Sequence, residues 1–261
     1  MELGLRGKVG IVTGASEGIG RATAAALGRE GARVVICARR QEALEQAASA
    51  IAEDTGAEIA PVVADVMQPA DVELLIASTL ARFGRLDLLV NNAGTSRAAS
   101  FSTVSDADWQ ADLELKLFGA IRAIRLSVPH LRSAGGSIVN VLNIGAKQPA
   151  GNSVPTSVSR PAGMALTKAL SKELAPDHIR VNAVLIGLIK SGQHERTWRR
   201  TAFERPIEDF YADMARQRAV PLGRVGEAEE AGDLIAFLCS DRAAYITGTA
   251  INLDGGASNV V

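Results

Sequence analysis

The chain has 261 residues, of which 47% are hydrophobic and only 4% aromatic, and it contains 25 glycines. This length suits one large α/β domain, and an interior of small aliphatic side chains suits helices packed on a parallel sheet. A formal net charge of −1 provides no basic field for nucleic acid or a membrane surface, and no apolar run reaches the roughly 18–20 residues that span a bilayer. Two cysteines in apolar segments form no disulfide or metal pattern, and residues 1–8 contain no signal-like stretch, so we expect a cytoplasmic protein.

Strand-like apolar runs alternate with helical patterns along the chain. Seven runs are predicted as strands: 9–12, 33–37, 59–63, 86–91, 137–142, 179–184 and 250–253. Six helices are predicted: 19–29, 41–53, 70–83, 106–131 (capped by Ser105 or Asp106), 162–174 and 227–238. Such alternation implies parallel pairing through right-handed crossovers. We therefore predict an α/β fold, a single doubly wound Rossmann-type domain over 1–261 with a mainly parallel seven-stranded sheet and helices on both faces.

Residues 190–218 interrupt this alternation with a charged stretch that also carries aromatic side chains, including Trp198 and Tyr211. An insertion beyond the carboxyl end of a strand commonly covers the ligand crevice, so we predict a lid here. A surface excursion or a subunit contact is the alternative interpretation.

The first strand is joined to the first helix by a glycine-rich turn, residues 13–20, with the sequence TGASEGIG. Glycines allow the backbone to approach a pyrophosphate, and the helix N-terminus offers free N–H groups and a favourable dipole. The turn follows a strand and opens a helix, which is the context that a dinucleotide site requires. The predicted contacts from this turn are Gly14, Ser16, Glu17, Gly18, Ile19 and Gly20.

The spacing TGxxxGxG resembles the short-chain dehydrogenase/reductase family, and further motifs extend that resemblance over nearly the whole chain. These motifs are Ala64-Asp65-Val66, Asn91-Asn92-Ala93-Gly94, Arg180-Val181-Asn182, Ile186-Gly187, Tyr245-Ile246-Thr247-Gly248 and Asp254-Gly255-Gly256. The resemblance implies that the chain binds a nicotinamide dinucleotide. The further cofactor contacts that it implies are Asp65, Val66, Asn92, Ala93, Gly94, Arg160, Gly187 and Ile189.

The end of the second predicted strand bears on the choice of cofactor. NAD-binding proteins usually carry an acid there that bonds the ribose 2′-hydroxyl, whereas this chain has Arg39 and Arg40, which would pair with a 2′-phosphate. Glu17 argues against this, since many NADP-dependent relatives have a basic residue at its position. We favour NADP over NAD, and the alternative is that the two arginines are merely solvated charges.

Members of the family use an Asn-Ser-Tyr-Lys tetrad, and this chain lacks it. Its two tyrosines, Tyr211 and Tyr245, are followed four residues later by Ala215 and Thr249 rather than by lysine. The flanking motifs align without gaps, so the equivalent positions can be located. They are occupied by Lys116, Asn143, Thr156 and Arg160.

These replacements leave three interpretations open. Thr156 is too weak an acid to act as the tyrosine does, and Arg160 can bond the ribose but cannot shuttle protons. The first interpretation is an oxidoreductase that acts on a small carbonyl or alcohol substrate with a non-standard proton donor, for which His194 in the predicted lid is a candidate. Alternatively, it is a nucleotide-binding pseudoenzyme, acting as a sensor or partner subunit. The third interpretation is a non-redox enzyme with Lys116 or His194 as acid/base, since a buried lysine near Arg160 would have a lowered pKa.

The remaining expectations concern partners. The predicted helices 106–131 and 162–174 carry broad apolar faces, and in the family these helices pair between subunits. The resemblance therefore implies a homodimer or homotetramer, although the faces would also suit an ordinary core. No His, Cys, Asp or Glu cluster has metal-ligand spacing, and the sequence does not identify the substrate.

Overall fold

The computed structural model of the chain describes residues 2–132 and 135–261. The strands are β1 Val9–Thr13, β2 Arg33–Ala38, β3 Ile59–Val63, β4 Leu88–Asn91, β5 Ala98–Ala99, β6 Ser137–Asn143, β7 Val154–Pro155, β8 Arg180–Ile186 and β9 Ala250–Leu253. The helices are α1 Gly18–Arg29, α2 Gln41–Thr55, α3 Pro69–Phe83, α4 Asp106–Leu113, α5 Gly119–Leu131, α6 Thr156–Glu173, α7 Gly192–Thr201, α8 Ile207–Gln217 and α9 Ala228–Cys239. None of these helices is long and apolar enough to cross a bilayer.

Seven strands form one parallel sheet in the order β3-β2-β1-β4-β6-β8-β9, which confirms the predicted doubly wound fold. The chain starts in the middle of the sheet, proceeds to one edge and then returns to build the other half. The strand order therefore reverses between β1 and β4, and a crevice opens there at the carboxyl ends of the strands.

Both faces of the sheet are covered by helices because neighbouring strand residues point to opposite sides. Ile11 and Val12 are both fully buried, yet they belong to different clusters. Val12 packs with side chains of α1, α2 and α9, such as Leu27. Ile11 packs with side chains of α3 and α5, such as Leu75. Continuous Val, Ile and Leu runs are thus accounted for by burial on both faces.

The helix predicted over 106–131 is interrupted. Ser105 caps α4 in a reciprocal capping box with Asp108, but a π-helical turn, Glu114–Phe118, separates α4 from α5. A π-helical turn inserts one extra residue into the helical path and redirects the side chains around it, and such turns occur frequently at functional sites. Lys116 lies in the middle of this turn and is buried.

Two further differences concern the crevice. Helix α6 begins at Thr156, not at residue 162, and Pro161 lies within it. The short strands β5 and β7, which the sequence did not predict, pair antiparallel just before α6. The 190–218 segment contains α7 and α8, and Tyr211 of α8 is buried in a small cluster with Val220 and Val225.

Candidate active site

Three glycines shape the turn between β1 and α1. A methyl group at Gly20 would lie 2.4 Å from the Gly14 carbonyl oxygen and 2.5 Å from Asn92 Nδ2, and one at Gly14 would lie 2.8 Å from Ala93 Cα. Gly14 and Gly18 also have positive φ angles, of 66° and 56°. Side chains at Gly14 and Gly20 would therefore force apart the backbone segments that form the turn, whereas Gly18 is favoured by its positive φ alone.

The first turn of α1 is left open to a ligand. Its N-cap residue, Glu17, makes no side-chain hydrogen bond to the helix, and no acidic residue lies in the first turn. Ser16 is half-buried just before it, and Ile19 is buried just after it. The backbone N–H groups of this helix end thus lack a side-chain cap, which suits an anion.

Hydrogen bonds fasten this turn to the loop that follows β4. Thr13 Oγ1 accepts from the backbone N–H groups of Asn92 and Ala93, each at 3.0 Å. Asn92 Nδ2 donates to the carbonyls of Thr13 and Gly14, at 2.9 and 3.0 Å. The two predicted cofactor segments therefore form one rigid cradle at the point where the strand order reverses.

Charged residues lie at the end of β2 beside this cradle. Glu17 forms ion pairs with Arg40 at 3.2 Å and with Arg196 of α7 at 2.8 Å. Arg39 is exposed beside Arg40. At the end of β3, the backbone N–H of Asp65 donates to Asp71 at 2.8 Å, which shapes the turn that carries the predicted cofactor contacts Asp65 and Val66.

The residues after β8 form another wall of the crevice. A Cβ on Gly187 would lie 2.5 Å from that of Asp254, so this strand end packs directly on the segment after β9. Ile189 is buried and bridges to Gly226. Ser191 caps α7 through the backbone N–H of His194. Val66 lines the opposite side, against Gly119 at the start of α5.

A buried polar network lies where α4, the π-helical turn and α6 meet. Lys116 Nζ donates to Asp112 in a short hydrogen bond and to Thr156 Oγ1 at 2.6 Å. Asp112 also accepts from Ser159 Oγ at 2.7 Å. Thr156 Oγ1 donates to the carbonyl oxygen of Arg97 at 2.8 Å. The side chains of Lys116 and Asp112 are 0% and 1% exposed, so this ion pair is fully removed from water.

This burial changes the acidity of the cations. The pKa of Lys116 falls from its ordinary value of 10.5 to about 8, mainly because burial disfavours the charged form. The hydrogen bond that Lys116 donates to Asp112 opposes that fall, and the positive charge of Arg160 adds to it. Burial also lowers the pKa of Arg160, to about 10, so its guanidinium keeps its proton at neutral pH. Lys116 is thus a cation that can release its proton near neutral pH.

Three predicted site residues have a buried polar atom without a partner in the described part of the chain: Arg160 Nε, Asn143 Oδ1 and His194 Nδ1. Arg160 is otherwise held by the carbonyl of Val141 at 3.0 Å, and its Nη2 would lie 2.8 Å from a methyl group on Gly94. Buried polar atoms are nearly always paired, so these three are candidates for bonds to a ligand.

The structure brings some predicted catalytic residues together and leaves others apart. Lys116 and Thr156 bond each other directly, and Arg160 acts on Lys116 through its charge. Asn143 ends β6, and its Oδ1 has no hydrogen-bond partner among the described residues. The His194 ring lies edge-on to Tyr211, with 6.5 Å between centroids, and burial lowers its pKa. Across residues 2–132 and 135–261, no group of acidic, histidine or cysteine side chains could hold a metal ion.

Comparison with known proteins places this crevice in context. A family model described as enoyl-(acyl carrier protein) reductase matches residues 14–258. The 3-oxoacyl-(acyl-carrier-protein) reductase FabG of Thermotoga maritima is 34% identical over 256 residues, which cover 97% of this chain and 98% of that protein. The chain belongs to the short-chain dehydrogenase/reductase family.

Two solved short-chain dehydrogenase/reductase structures are especially similar. L-sorbose reductase from Gluconobacter frateurii, complexed with NADPH and L-sorbose, has a TM-score of 0.95 and 34% identity, with complete coverage of both chains. A short chain oxidoreductase from Pseudomonas aeruginosa, described as containing an atypical catalytic center, has a TM-score of 0.94 and 38% identity, covering 99% of this chain and 100% of that one. Its NADPH-bound structure has a TM-score of 0.92, covering 97% and 98% of the two chains.

Sequence reasoning missed three residues that contact the predicted site: Asp112, Ser159 and Ser191. Asp112 precedes Lys116 by four residues, a spacing that places opposite charges together on a helix, so this signal was available. Ser159 could not be found, because the predicted start of the helix at 162 left it outside. Ser191 precedes a helix that the sequence analysis had not predicted.

Proposed function

We propose that this short-chain dehydrogenase/reductase is an NADP-dependent oxidoreductase acting on a small carbonyl or alcohol substrate, with Lys116 and Thr156 as its proton donors. The observation that carries this proposal is the buried 2.6 Å hydrogen bond from Lys116 Nζ to Thr156 Oγ1 at the start of α6. This bond places the ionisable ammonium group of Lys116 against the Thr156 hydroxyl, which would otherwise be too weak an acid.

The cradle fits NADP. Gly14 and Gly20 leave no room for side chains, and α1 has no side-chain cap, so the pyrophosphate has backbone N–H groups to bind. Arg39 and Arg40 would hold the 2′-phosphate, and the partnerless Arg160 Nε would bond the nicotinamide ribose. The relatives solved with NADPH support the same choice. When bound, the nicotinamide exchanges a hydride with the substrate carbon.

The tyrosine of the usual tetrad has no counterpart in this site. Tyr211 is buried in the α8 cluster and Tyr245 is fully exposed. Neither lies at the start of α6, where Thr156 stands four residues before Arg160. The Pseudomonas aeruginosa oxidoreductase, which is described as containing an atypical catalytic center, supports a non-standard catalytic center in this chain as well.

Proton delivery follows from the bonds of Thr156. In the reductive direction, its hydroxyl turns from the Arg97 carbonyl and gives its proton to the substrate oxygen. Lys116 Nζ, already bonded to Thr156 Oγ1, transfers a proton to it in the same step. A lysine pKa of about 8 suits this task, because general acids work best when their pKa is near the working pH.

Lys116 must then regain a proton from outside the network. A cavity of about 20 Å³ beside Lys116 is lined mostly by apolar residues and by a few polar ones, including Asn140 and Arg160. This volume accommodates about one water molecule, which would supply a proton to the lysine. Asp112 and Ser159 hold the lysine in place during this exchange.

Asn143 and His194 are assigned to the substrate. Asn143 stands at the carboxyl end of β6, and its buried Oδ1 would accept from a substrate hydroxyl. His194 Nδ1 is likewise partnerless, and α7 and α8 of the 190–218 segment would form the lid that presents it.

Exposed Phe118 and Val158, on the π-helical turn and α6, would pair between subunits in a homodimer or homotetramer.

The test combines binding with turnover. NADPH and NADH are titrated by nicotinamide fluorescence, and NADPH oxidation is then followed with a carbonyl panel that includes L-sorbose and a 3-oxoacyl thioester. We expect Thr156→Val and Lys116→Met to lower kcat by about 100-fold or more with an unchanged NADPH affinity. Thr156→Ser should keep most of the activity, and Lys172→Met, on the exposed side of α6, should keep all of it.

Each negative result has a distinct meaning. If the chain fails to bind NADPH, the cofactor assignment is wrong. NADPH binding without oxidation of any substrate indicates the non-catalytic nucleotide-binding protein. Full turnover by both Thr156→Val and Lys116→Met would show that the proton comes from elsewhere, for which His194→Gln is the next variant.

A further inference from the structure

Three charged side chains from separate elements meet at the edge of the nucleotide cradle. Glu17 belongs to the glycine-rich turn, Arg40 follows β2, and Arg196 lies on α7. Arg196 Nη1 contacts both carboxylate oxygens of Glu17, at 2.8 and 3.0 Å, whereas Arg40 contacts one at 3.2 Å. Arg196 is 179 residues distant from Glu17 in sequence, so the tertiary fold alone creates this pair.

The position of Arg196 is fixed by the way α7 begins. A methyl group on Gly192 would lie 2.6 Å from the Glu17 carboxylate, and one on Gly18 would lie 3.8 Å from Ser191. The backbone N–H of Ser96 donates to Gln193 at 3.3 Å. The first turn of α7 is therefore seated on the cradle, and Arg196, one helical turn after Gly192, is directed at the same carboxylate.

Glu17 presents an electrostatic problem for the proposed cofactor. The two arginines that would hold a 2′-phosphate, Arg39 and Arg40, lie beside a carboxylate that already engages Arg40. The negative charge of Glu17 would repel the dianionic 2′-phosphate of NADP, and the Glu17 carboxylate also competes with that phosphate for Arg40. NAD lacks this phosphate, so an unneutralised Glu17 would shift the preference from NADP toward NAD.

We propose that Arg196 is a cofactor-specificity residue, which favours NADP over NAD by neutralising Glu17 and freeing Arg40 for the 2′-phosphate. The inference rests on the proposed use of NADP. It assigns to α7, a helix outside the nucleotide-binding half of the sheet, a part in selecting the adenosine end of the cofactor. Arg196 acts through Glu17 and is thus a positioning residue, not a phosphate ligand.

The test is a double-mutant cycle read out by equilibrium binding. Arg196→Ala, Glu17→Gln and the double variant are titrated with NADPH and NADH by nicotinamide fluorescence, and their thermal midpoints are recorded. We expect Arg196→Ala to weaken NADPH binding about fivefold and NADH binding less than twofold, as for a partly exposed ion pair. Glu17→Gln should strengthen NADPH binding, and adding Arg196→Ala to it should then have no further effect.

Arg199→Ala is the matched control, because Arg199 lies on the exposed side of α7 with no ion pair to any residue in 2–132 or 135–261. This variant should bind both nucleotides as the unsubstituted chain does. Equal weakening of NADPH and NADH by Arg196→Ala, or an undiminished effect in the Glu17→Gln background, would overturn the role of Arg196 alone. Absence of NADPH binding by the unsubstituted chain would overturn the proposed function and this inference together.

Discussion

The lowered pKa of Lys116 predicts how the free energy of unfolding changes with pH, and this prediction can be tested without a substrate. Its pKa is about 8 in the folded chain and has the ordinary value of 10.5 when the chain is unfolded. Between these two values the unfolded state binds more protons than the folded state, so stability must rise with pH. The whole difference corresponds to about 3 kcal/mol, and the part between pH 7 and pH 9.5 to about 2 kcal/mol.

Other groups titrate in the same range, so the measurement needs a reference that differs only at this pair. Lys116→Met with Asp112→Asn removes both buried charges and leaves no unpaired ion behind. Free energies of unfolding from urea denaturation, taken at intervals from pH 6 to pH 9.5, give the two curves. The unsubstituted chain should gain about 2 kcal/mol relative to the double variant over the alkaline part of that range.

A second variant shows whether Asp112 sets the lysine pKa. Asp112→Asn removes the negative charge that raises the pKa of Lys116 and leaves only a weaker, neutral acceptor, so the rise in stability should move to lower pH. Curves for the unsubstituted chain and the double variant that run parallel from pH 6 to pH 9.5 would refute the lowered lysine pKa. The proton-donor role proposed for Lys116 would then lose its physical basis.

Two other predictions test the crevice. Gly20→Ala should weaken NADPH binding at least tenfold, because its Cβ would meet the Gly14 carbonyl oxygen at 2.4 Å. The control variant is Gly151→Ala, whose added Cβ has no atom within 4 Å and which should bind NADPH normally. Equal NADPH titration curves for the two variants would contradict the assigned cradle. His194→Gln should make stability less sensitive to acid, since the folded chain holds the pKa of His194 below 6.5 and the unfolded chain therefore takes up that proton first as the pH falls. Chemical unfolding of both proteins from pH 7.5 to pH 5 checks this, and identical pH profiles would show that His194 is not held neutral.

The sheet could be predicted because its sequence signal is local and repeated. The central runs of Val, Ile and Leu lie on strands buried on both faces, as Ile11 and Val12 illustrate, and the alternation with helices leaves few possible topologies. The cradle could be predicted for a similar reason. Gly14 and Gly20 have no space for a side chain, so the spacing of glycines reports the backbone geometry directly.

The rest of the site depends on contacts between elements distant in sequence. The π-helical turn that buries Lys116 has no local signature, since Leu113 and Leu117, four residues apart, continue an ordinary helical pattern. Proline at 161 obscured the true start of α6, because proline usually marks a helix start and is tolerated inside only when packing compensates. The pair of Glu17 with Arg196 joins segments that no sequence pattern relates.

The buried pair of Asp112 and Lys116 is better explained by chemistry than by stability. Two apolar side chains of similar volume would stabilise the junction of α4 and α6 at least as well, because desolvation of two charges offsets most of their attraction. Yet every polar atom of the pair is engaged: the ammonium by Asp112 and Thr156, and the second carboxylate oxygen by Ser159. A site without a function would not be expected to keep these partners around a cation that can release its proton near pH 8. These partners are what the proposed proton transfer to Thr156 requires, since the same carboxylate keeps the lysine charged before the transfer and positions it afterwards.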